Sequence, residues 1–97
     1  MQKLTKSRLQ DILTRKLALR APEFRLEKWG PRLGGSIISD SFKGKQDTER
    51  QFLIWDALES ELGADASRLV GMLLAYTPGE WTMGEDLTRV RLRKKAG

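Results

Sequence analysis

The sequence predicts a single small α+β domain, in which a three-stranded mixed sheet carries helices on one face. This class is predicted by two apolar stripes with helical spacing, one segment with strand-like alternation that is followed by a second short strand-like segment, and one short apolar run before a proline. The predicted order is helix, strand, strand, helix, strand, helix. We expect the domain to span residues 1–87, followed by a basic tail over residues 88–97 whose composition is compatible with disorder.

The first helix is predicted from a capping box and an apolar face. Ser7 and Gln10 fit the S-x-x-Q pattern, in which two side chains bond backbone N–H groups at the helix start. The apolar residues that then share one face are Leu9, Ile12, Leu13 and Leu17. Pro22 is expected to end the helix, because its ring and its missing N–H disfavour continuation.

A hairpin of two antiparallel strands should follow. Phe24, Leu26 and Trp29 alternate with charged residues, which is typical of a half-buried strand. Residues 36–39 have the composition of a second strand, and the intervening segment WGPRLGG supplies the turn. The simplest connection is therefore a hairpin with a loop of several residues.

The second helix is predicted shortly after Gly44. Thr48 and Gln51 match a capping box, but Asp47 is an equally good N-cap, so both starts stay open. The residues expected to face inward are Ile54, Trp55, Leu58 and Leu62. Gly63 is expected to end the helix, because glycine readily adopts the left-handed conformation found after helix ends.

The last strand leads directly into the last helix. Residues 69–76 are nearly all apolar, which predicts a buried strand that pairs in parallel with the second strand through the helical crossover. Thr77, Pro78 and Glu80 occupy the N-cap, first and third positions of a further capping box. A short helix that carries Trp81 should follow.

Composition excludes several function classes. The chain has 97 residues and neither cysteine nor histidine, so disulfides, thiol nucleophiles and an imidazole base are excluded. Carboxylates such as Glu80, Glu85 and Asp86 show no convergent arrangement, so we predict a protein that is not an enzyme, with no metal site and no cofactor. No long apolar run or signal-peptide pattern is visible, which leads us to expect a cytoplasmic protein without membrane contact.

The net charge of +5 is unevenly distributed. Residues 1–21 and the C-terminal tail are basic, whereas residues 47–67 are acidic. A basic patch can attract nucleic acid or an acidic partner, but an ordinary solvated surface explains it equally well. Lys43 and Lys45 have the same two interpretations. They can hold a phosphate at a helix N-terminus, or they can be solvated lysines on either side of a glycine turn.

Two motifs resemble those of a known family. The element order is that of the type II KH-like arrangement, although the GxxG loop of KH domains is missing. Residues 36–81 resemble the BolA family: FKGKQDTER matches its F-x-G-x5-R motif, and AYTPGEW is similar to its closing A-x-T-P-E-E-W. The positions that match the two motifs are Phe42, Gly44, Arg50, Thr77, Pro78, Glu80 and Trp81.

The resemblance implies roles for the first motif. Phe42 would fill the core at the end of the second strand, Gly44 would permit the turn, and Arg50 would project from the first turn of the helix. This edge would then touch DNA or a protein partner. In the alternative interpretation Arg50 is a surface arginine that pairs with Asp47 or Glu49.

The resemblance also implies two kinds of function. BolA-like proteins are described as DNA-binding transcriptional regulators linked to stress and cell morphology, or as partners of a monothiol glutaredoxin around a shared 2Fe–2S cluster. The cluster role needs a histidine near the start of the last strand, which falls at about Leu69 here, and usually a His or Cys in the hairpin loop. The R-H pair of many members is Arg50-Gln51 in this chain. Iron in such clusters is held by thiolate or imidazole, and carboxylates such as Asp40 are poor substitutes, so we predict that no bridged cluster forms.

Two binding hypotheses follow. A regulator would engage duplex DNA through basic residues, although the acidic second helix would repel a duplex lying along it. The candidate contacts are Lys43, Lys45 and Arg50 at the turn, with Arg89, Arg91, Arg93, Lys94 and Lys95 in the tail. An adaptor would instead contact a monothiol glutaredoxin or another protein, without a cluster, through the hairpin loop, the last strand and Trp81. Trp29 would be an exposed anchor in that case, although a tryptophan beside a hairpin is more often packed.

Overall fold

The computed structural model describes residues 4–83, and its elements follow the predicted order. They are α1 (Lys6–Lys16), β1 (Glu23–Trp29), β2 (Arg32–Ile38), a 3-10 turn (Asp40–Phe42), α2 (Asp47–Leu62), a second 3-10 turn (Gly63–Asp65), α3 (Ala66–Leu69) and β3 (Val70–Tyr76). Residues 78–83 are again helical. The two 3-10 turns and α3 were not predicted. The domain end at residue 87 and the basic tail lie outside the described residues and stay predictions.

The sheet has the order β1-β2-β3, and its hairpin is tighter than predicted. Trp29 lies opposite Arg32, so only Gly30 and Pro31 form the loop, and the second strand begins four residues before the predicted Ser36. Gly30 has a φ of +61°, which suits the mirror-image turns whose twist matches that of two paired strands. The prediction of a longer loop was therefore wrong, because this turn lets the whole of RLGG enter β2.

β2 and β3 are parallel, as predicted, and α2 lies in the crossover between them. Leu33 pairs with Val70, whereas Gly35 pairs with Leu73, so β3 contains one extra residue between these two pairs. Such a bulge bends a strand locally and changes the direction of the side chains around it.

Both helix starts differ from the predicted caps. Thr5, not Ser7, caps α1: its side chain accepts a hydrogen bond of 3.1 Å from the N–H of Arg8. The N-cap of α2 is Gln46, which makes no side-chain cap bond, so neither Asp47 nor Thr48 is the cap. Near the start of each helix, more than one side chain is of a type that caps helices. The local backbone conformation determines which of them, if any, bonds the free N–H groups.

The end of α1 was also mispredicted, whereas the end of α2 was predicted correctly. α1 ends at Lys16, well before Pro22, and the chain then passes through positive φ values at Ala18 (49°) and Ala21 (42°). Positive φ is unusual for residues with a side chain, so this connection is strained. α2 is followed by Gly63 with a φ of +62°, as the C-terminal glycine predicts.

The main core lies between the sheet and the two long helices on one face. The predicted inward stripes are confirmed: the fully buried side chains include Leu9, Ile12, Leu13, Ile54 and Leu58, which meet Ile37 and Leu73 of the sheet. Trp55 and Leu17 are only partly buried against this cluster. Within residues 4–83, no helix is both long enough and apolar enough to cross a membrane.

Candidate functional site

The first motif begins with a buried phenylalanine and a glycine turn. Phe42 lies in the 3-10 turn after β2 and is 1% exposed, so it fills the core as expected. Gly44 has a φ of +81°, and a side chain there would meet nothing within 4 Å. The backbone conformation, rather than a lack of space, therefore favours glycine at this position.

Arg50 does not project from the surface. It is 5% exposed, and its Nε donates to the carbonyl of Lys45 at 2.9 Å. Its Nη1 donates both to the carbonyl of Ala75 at 3.0 Å and to Oε1 of Glu80 at 2.7 Å, and its Nη2 donates to Oε2 of Glu80 at 3.2 Å. The expected surface pairing with Asp47 or Glu49 is therefore wrong, because the half-exposed carboxylate of Glu80 binds the buried guanidinium at two points.

Glu80 joins this buried arginine to the predicted capping box. The N–H of Thr77 donates to Oε1 of Glu80 at 2.8 Å, and the N–H of Glu80 donates to Oγ1 of Thr77 at 3.2 Å, so the capping box is confirmed in both directions. The hydrogen bond from Arg50, followed by the bond from the Thr77 N–H, lowers the pKa of Glu80 from 4.5 to about 2. Glu80 thus has a structural role, and Glu85 and Asp86 lie outside the described residues.

The outer edge of β3 is covered by two neighbouring side chains of α2. Gln51, at the position where many BolA-like chains have histidine, donates through Nε2 to the carbonyl of Leu73 at 2.6 Å. Arg50 donates to the carbonyl of Ala75, two residues further along the same strand. Arg50 and Gln51 therefore donate hydrogen bonds to two carbonyl groups that make no hydrogen bond to β2.

The sheet face opposite the main core carries an exposed apolar surface, which we call the Trp29 platform: Trp29, Met72 and Leu74. These side chains are 47%, 63% and 40% exposed. The ring of Trp29 crosses the sheet above Gly34 and Gly71, so that a side chain at Gly34 would clash with the ring. Its Nε1 donates to Glu27 at 3.1 Å. One indole face thus packs on backbone while the other stays accessible.

Trp81 borders this platform. Its ring meets Tyr76 edge-on, with centroids 5.3 Å apart, and the guanidinium of Arg25 lies 5.5 Å from its centroid. Trp81 and Arg25, together with Trp29, Met72 and Leu74, line a shallow depression of about 310 Å³. The adaptor hypothesis requires the hairpin, the last strand and Trp81 to share one surface. In this structure the three are adjacent.

The predicted basic residues are only partly brought together. Lys43 is exposed and Lys45 is partly exposed, whereas Arg50 is separated from solvent. Arg89, Arg91, Arg93, Lys94 and Lys95 lie outside the described residues, so their predicted contacts stay untested.

Arg20 is a basic residue that the sequence reasoning missed. Its N–H donates to Oγ of Ser41 at 2.9 Å, and its carbonyl accepts a bond of 2.9 Å from Oγ of Ser39. These bonds bring an exposed arginine beside the segment that carries Lys43. No sequence signal distinguishes Arg20 from the other cations of residues 1–21, because the contact spans about twenty positions.

The donor set does not fit an iron–sulfur cluster. Leu69, at the position implied for the histidine ligand, is apolar and packs against the core. In residues 4–83, no group of three His, Cys, Asp or Glu side chains could hold a metal ion. The chain contains neither thiolate nor imidazole, the two groups that hold iron in such clusters.

Comparisons with known proteins identify the fold. No protein-family model and no curated protein matches the chain. The structure of a bolA protein homologue from Coxiella burnetii has a TM-score of 0.62 at 21% identity, covering 81% of this chain and 97% of that chain. The BolA domain of SufE1 from Arabidopsis thaliana has a TM-score of 0.58 at 27% identity, covering 79% and 98%. A bol-like protein from Babesia bovis also has a TM-score of 0.58, at 23% identity, covering 87% and 96%.

Proposed function

Because the chain has the BolA-like fold, and its structural neighbours support membership of the BolA-like family, we propose that it is a non-enzymatic adaptor that binds another protein. The Trp29 platform is the observation on which this proposal rests. Tryptophan and methionine are enriched at protein interfaces, and exposed apolar side chains that lie together mark interaction sites more often than scattered ones do. We further propose a cytoplasmic protein whose domain spans residues 1–87.

The proposed partner is a monothiol glutaredoxin, contacted without a bridging cluster. The resemblance implies that glutaredoxin partners meet BolA-like proteins near the hairpin and the start of the last strand. In this chain Trp29 spans the same two segments, from the hairpin to Gly71 at the start of β3. Apolar contact with the indole would take the place of the missing metal ligands.

Calorimetry with a purified monothiol glutaredoxin tests this function. Hot-spot tryptophans often contribute 2 kcal/mol or more to binding, so we expect Trp29→Ala to weaken the complex by roughly 30-fold. Phe52→Ala is the matched control, because Phe52 is 69% exposed on α2, away from the platform. No binding by the wild type, or equal losses in both variants, would refute the adaptor role. Visible absorption of the mixture should show no 2Fe–2S bands.

Regulation through duplex DNA is the second candidate, and the position of Arg20 favours it. The backbone of Arg20 is bonded to Ser41, just before the segment that carries Lys43 and Lys45, so Arg20 replaces the buried Arg50 as the third candidate cation. Asp40 and Asp47 lie in the neighbouring segments, so the surface is of mixed charge. The predicted tail contacts would add to this surface, since every phosphate contact strengthens binding without specifying sequence.

Fluorescence anisotropy of a labelled duplex tests the second candidate. Binding should fall steeply between ~50 and ~200 mM salt, and the variant Arg20→Ala, Lys43→Ala, Lys45→Ala should lose it. The matched control is Lys28→Ala, Arg32→Ala, Arg68→Ala, which removes the same charge from other exposed positions. If both triple variants bind equally weakly, net charge alone is responsible and the proposed DNA surface is wrong.

A further inference from the structure

The two edges of the sheet differ in their availability to another strand. At the β3 edge, the carbonyls of Leu73 and Ala75 accept hydrogen bonds from Gln51 and Arg50 of α2. A strand approaching this edge would have to displace both side chains, one of them a buried guanidinium held by Glu80. The β3 edge is therefore closed.

The β1 edge has no such cover in the part of the chain that the structure describes. β1 is the first strand of the order β1-β2-β3, so β2 is its only neighbouring strand there. In a hairpin with a two-residue loop, the residues that flank the loop, here Trp29 and Arg32, form two backbone hydrogen bonds with each other. Along an antiparallel ladder, such hydrogen-bonded pairs alternate with pairs whose backbone groups point outward. The backbone groups of Phe24, Leu26 and Lys28 consequently point away from β2. β1 contains no proline that would block a new ladder.

We propose that two copies of this chain pair antiparallel through β1, around a two-fold axis at Leu26, to form one continuous sheet. In this register Arg25 lies opposite Glu27 of the second copy, and Glu27 lies opposite its Arg25. The strand is therefore complementary to itself in charge, as a two-fold interface requires. Opposite charges on directly facing residues stabilise an antiparallel pair.

The neighbouring registers are disfavoured by like charges. Moving the two-fold axis from Leu26 to Arg25 places Arg25 opposite Arg25 and Glu23 opposite Glu27. Moving the axis to Glu27 places Glu27 opposite Glu27. Shifting one strand by a single residue would bring outward-pointing backbone groups against groups already bonded to β2. Among the registers centred on residues 25, 26 and 27, the charge pattern EFRLEKW therefore favours the one at Leu26. A register centred on Phe24 would also pair Arg25 with Glu23, but it places Leu26 opposite Pro22, which has no N–H to donate.

Existing contacts of the two charged residues are compatible with this arrangement. Arg25 binds Glu23 at 2.9 Å, and its guanidinium lies 5.5 Å from the ring centroid of Trp81. The side chains of Arg25 and Glu23 are more than half exposed, so the bond between them is weak and accessible. Glu27 accepts from the indole of Trp29 and keeps a second oxygen available. In the dimer, Arg25 would lie between its own Glu23 and the Glu27 of the second copy. Because the β3 edge is closed, pairing stops at two copies and does not propagate into a fibre.

Sedimentation equilibrium of the full chain tests the proposal. The wild type should reach twice the monomer mass of 11.0 kDa as its concentration rises. Arg25→Glu and Glu27→Arg should each remain monomeric, because each places two like-charged pairs across the axis. The double variant Arg25→Glu, Glu27→Arg restores both pairs and should dimerise. An equimolar mixture of the two single variants should form a heterodimer, which neither variant forms alone.

Circular dichroism of each single variant confirms that it is folded before its mass is interpreted. A wild type that is monomeric up to about 1 mM refutes the interface, since association weaker than this is negligible. Dimers of either single variant would place the contact elsewhere. If the singles are monomeric but neither the double variant nor the mixture recovers the dimer, the proposed register is wrong.

Discussion

Glu80→Gln should destabilise the fold by removing the negative charge that faces Arg50. Arg50 is 5% exposed, and the carboxylate of Glu80 accepts two hydrogen bonds from it. Glutamine keeps the length of the side chain and one acceptor oxygen, so the change mainly removes charge. The guanidinium then stays buried with neutral partners only, which is costly in an environment of low dielectric constant.

The size of the loss follows from the pKa of Glu80. A fall from 4.5 to about 2 corresponds to about 3.4 kcal/mol, at 1.36 kcal/mol per pKa unit. The side chain of Glu80 is 47% exposed, so screening by solvent reduces this value, and we expect a loss of about 1–2 kcal/mol at pH 7. The melting temperature of a domain of this size should fall by roughly 4–8 °C for each kcal/mol.

The stability that Glu80→Gln loses should become smaller as the pH falls. A carboxyl group whose pKa is lower in the folded state stabilises the fold above its unfolded pKa, because the unfolded state binds more protons. The contribution of Glu80 is therefore complete above pH 4.5 and disappears as the pH falls towards about 2. Wild type and Glu80→Gln should converge in stability over this interval.

Urea unfolding of both proteins at pH 7 and at pH 2.5 measures the effect. Glu61→Gln is the matched control, because the bond from Arg15 also lowers the pKa of Glu61, but Arg15 is 54% exposed. The control should lose less stability at pH 7 than Glu80→Gln does. Equal losses in the two variants, or a Glu80→Gln loss that is unchanged at pH 2.5, would refute the importance of the Arg50–Glu80 ion pair.

Two further predictions concern packing and backbone. Phe42→Ala should lower the free energy of unfolding by about 3–5 kcal/mol, because it empties a buried site, and a loss below about 1 kcal/mol in urea would contradict that role. Gly35→Ala should prevent native folding, since Gly35 has a φ of +138° and a side chain there would overlap the carbonyl oxygen of Arg25. Gly79→Ala is its control, because nothing lies within 4 Å of that position, and circular dichroism should show a native fold.

The order of elements could be predicted because each signal is local. The apolar stripes of α1 and α2, the TPGE capping box and Gly63 all act within a few residues of the structure they specify. Helix starts were harder, because Thr5 and Ser7 are both residue types that cap helices, and the less favoured one, Thr5, is the cap. The hairpin loop was mispredicted because Gly34 and Gly35 resemble turn residues. They lie instead within β2, where Trp29 and Arg25 leave no room for a side chain.

The candidate site depended on contacts between distant positions, which periodicity cannot reveal. Arg50 and Glu80 are thirty residues apart, and Arg20 and Ser41 are twenty-one apart. Without the tertiary structure, Arg50 is one more cation in a basic segment. The exposure of Trp29 was left open for the same reason, since it depends on glycines in two other strands.

The ion pair between buried Arg50 and half-exposed Glu80 changes what the two sequence motifs imply about function. Arg50 belongs to the first motif and Glu80 to the second, and they bind each other while Phe42 packs beneath the guanidinium, 5.9 Å from its ring centroid. The matching residues can therefore be required for folding alone, and their presence is equally compatible with DNA binding and protein binding. Evidence for a partner must come from residues outside the motifs. The exposed Trp29 and the cation Arg20 are such residues, and each can be changed without touching the Arg50–Glu80 pair.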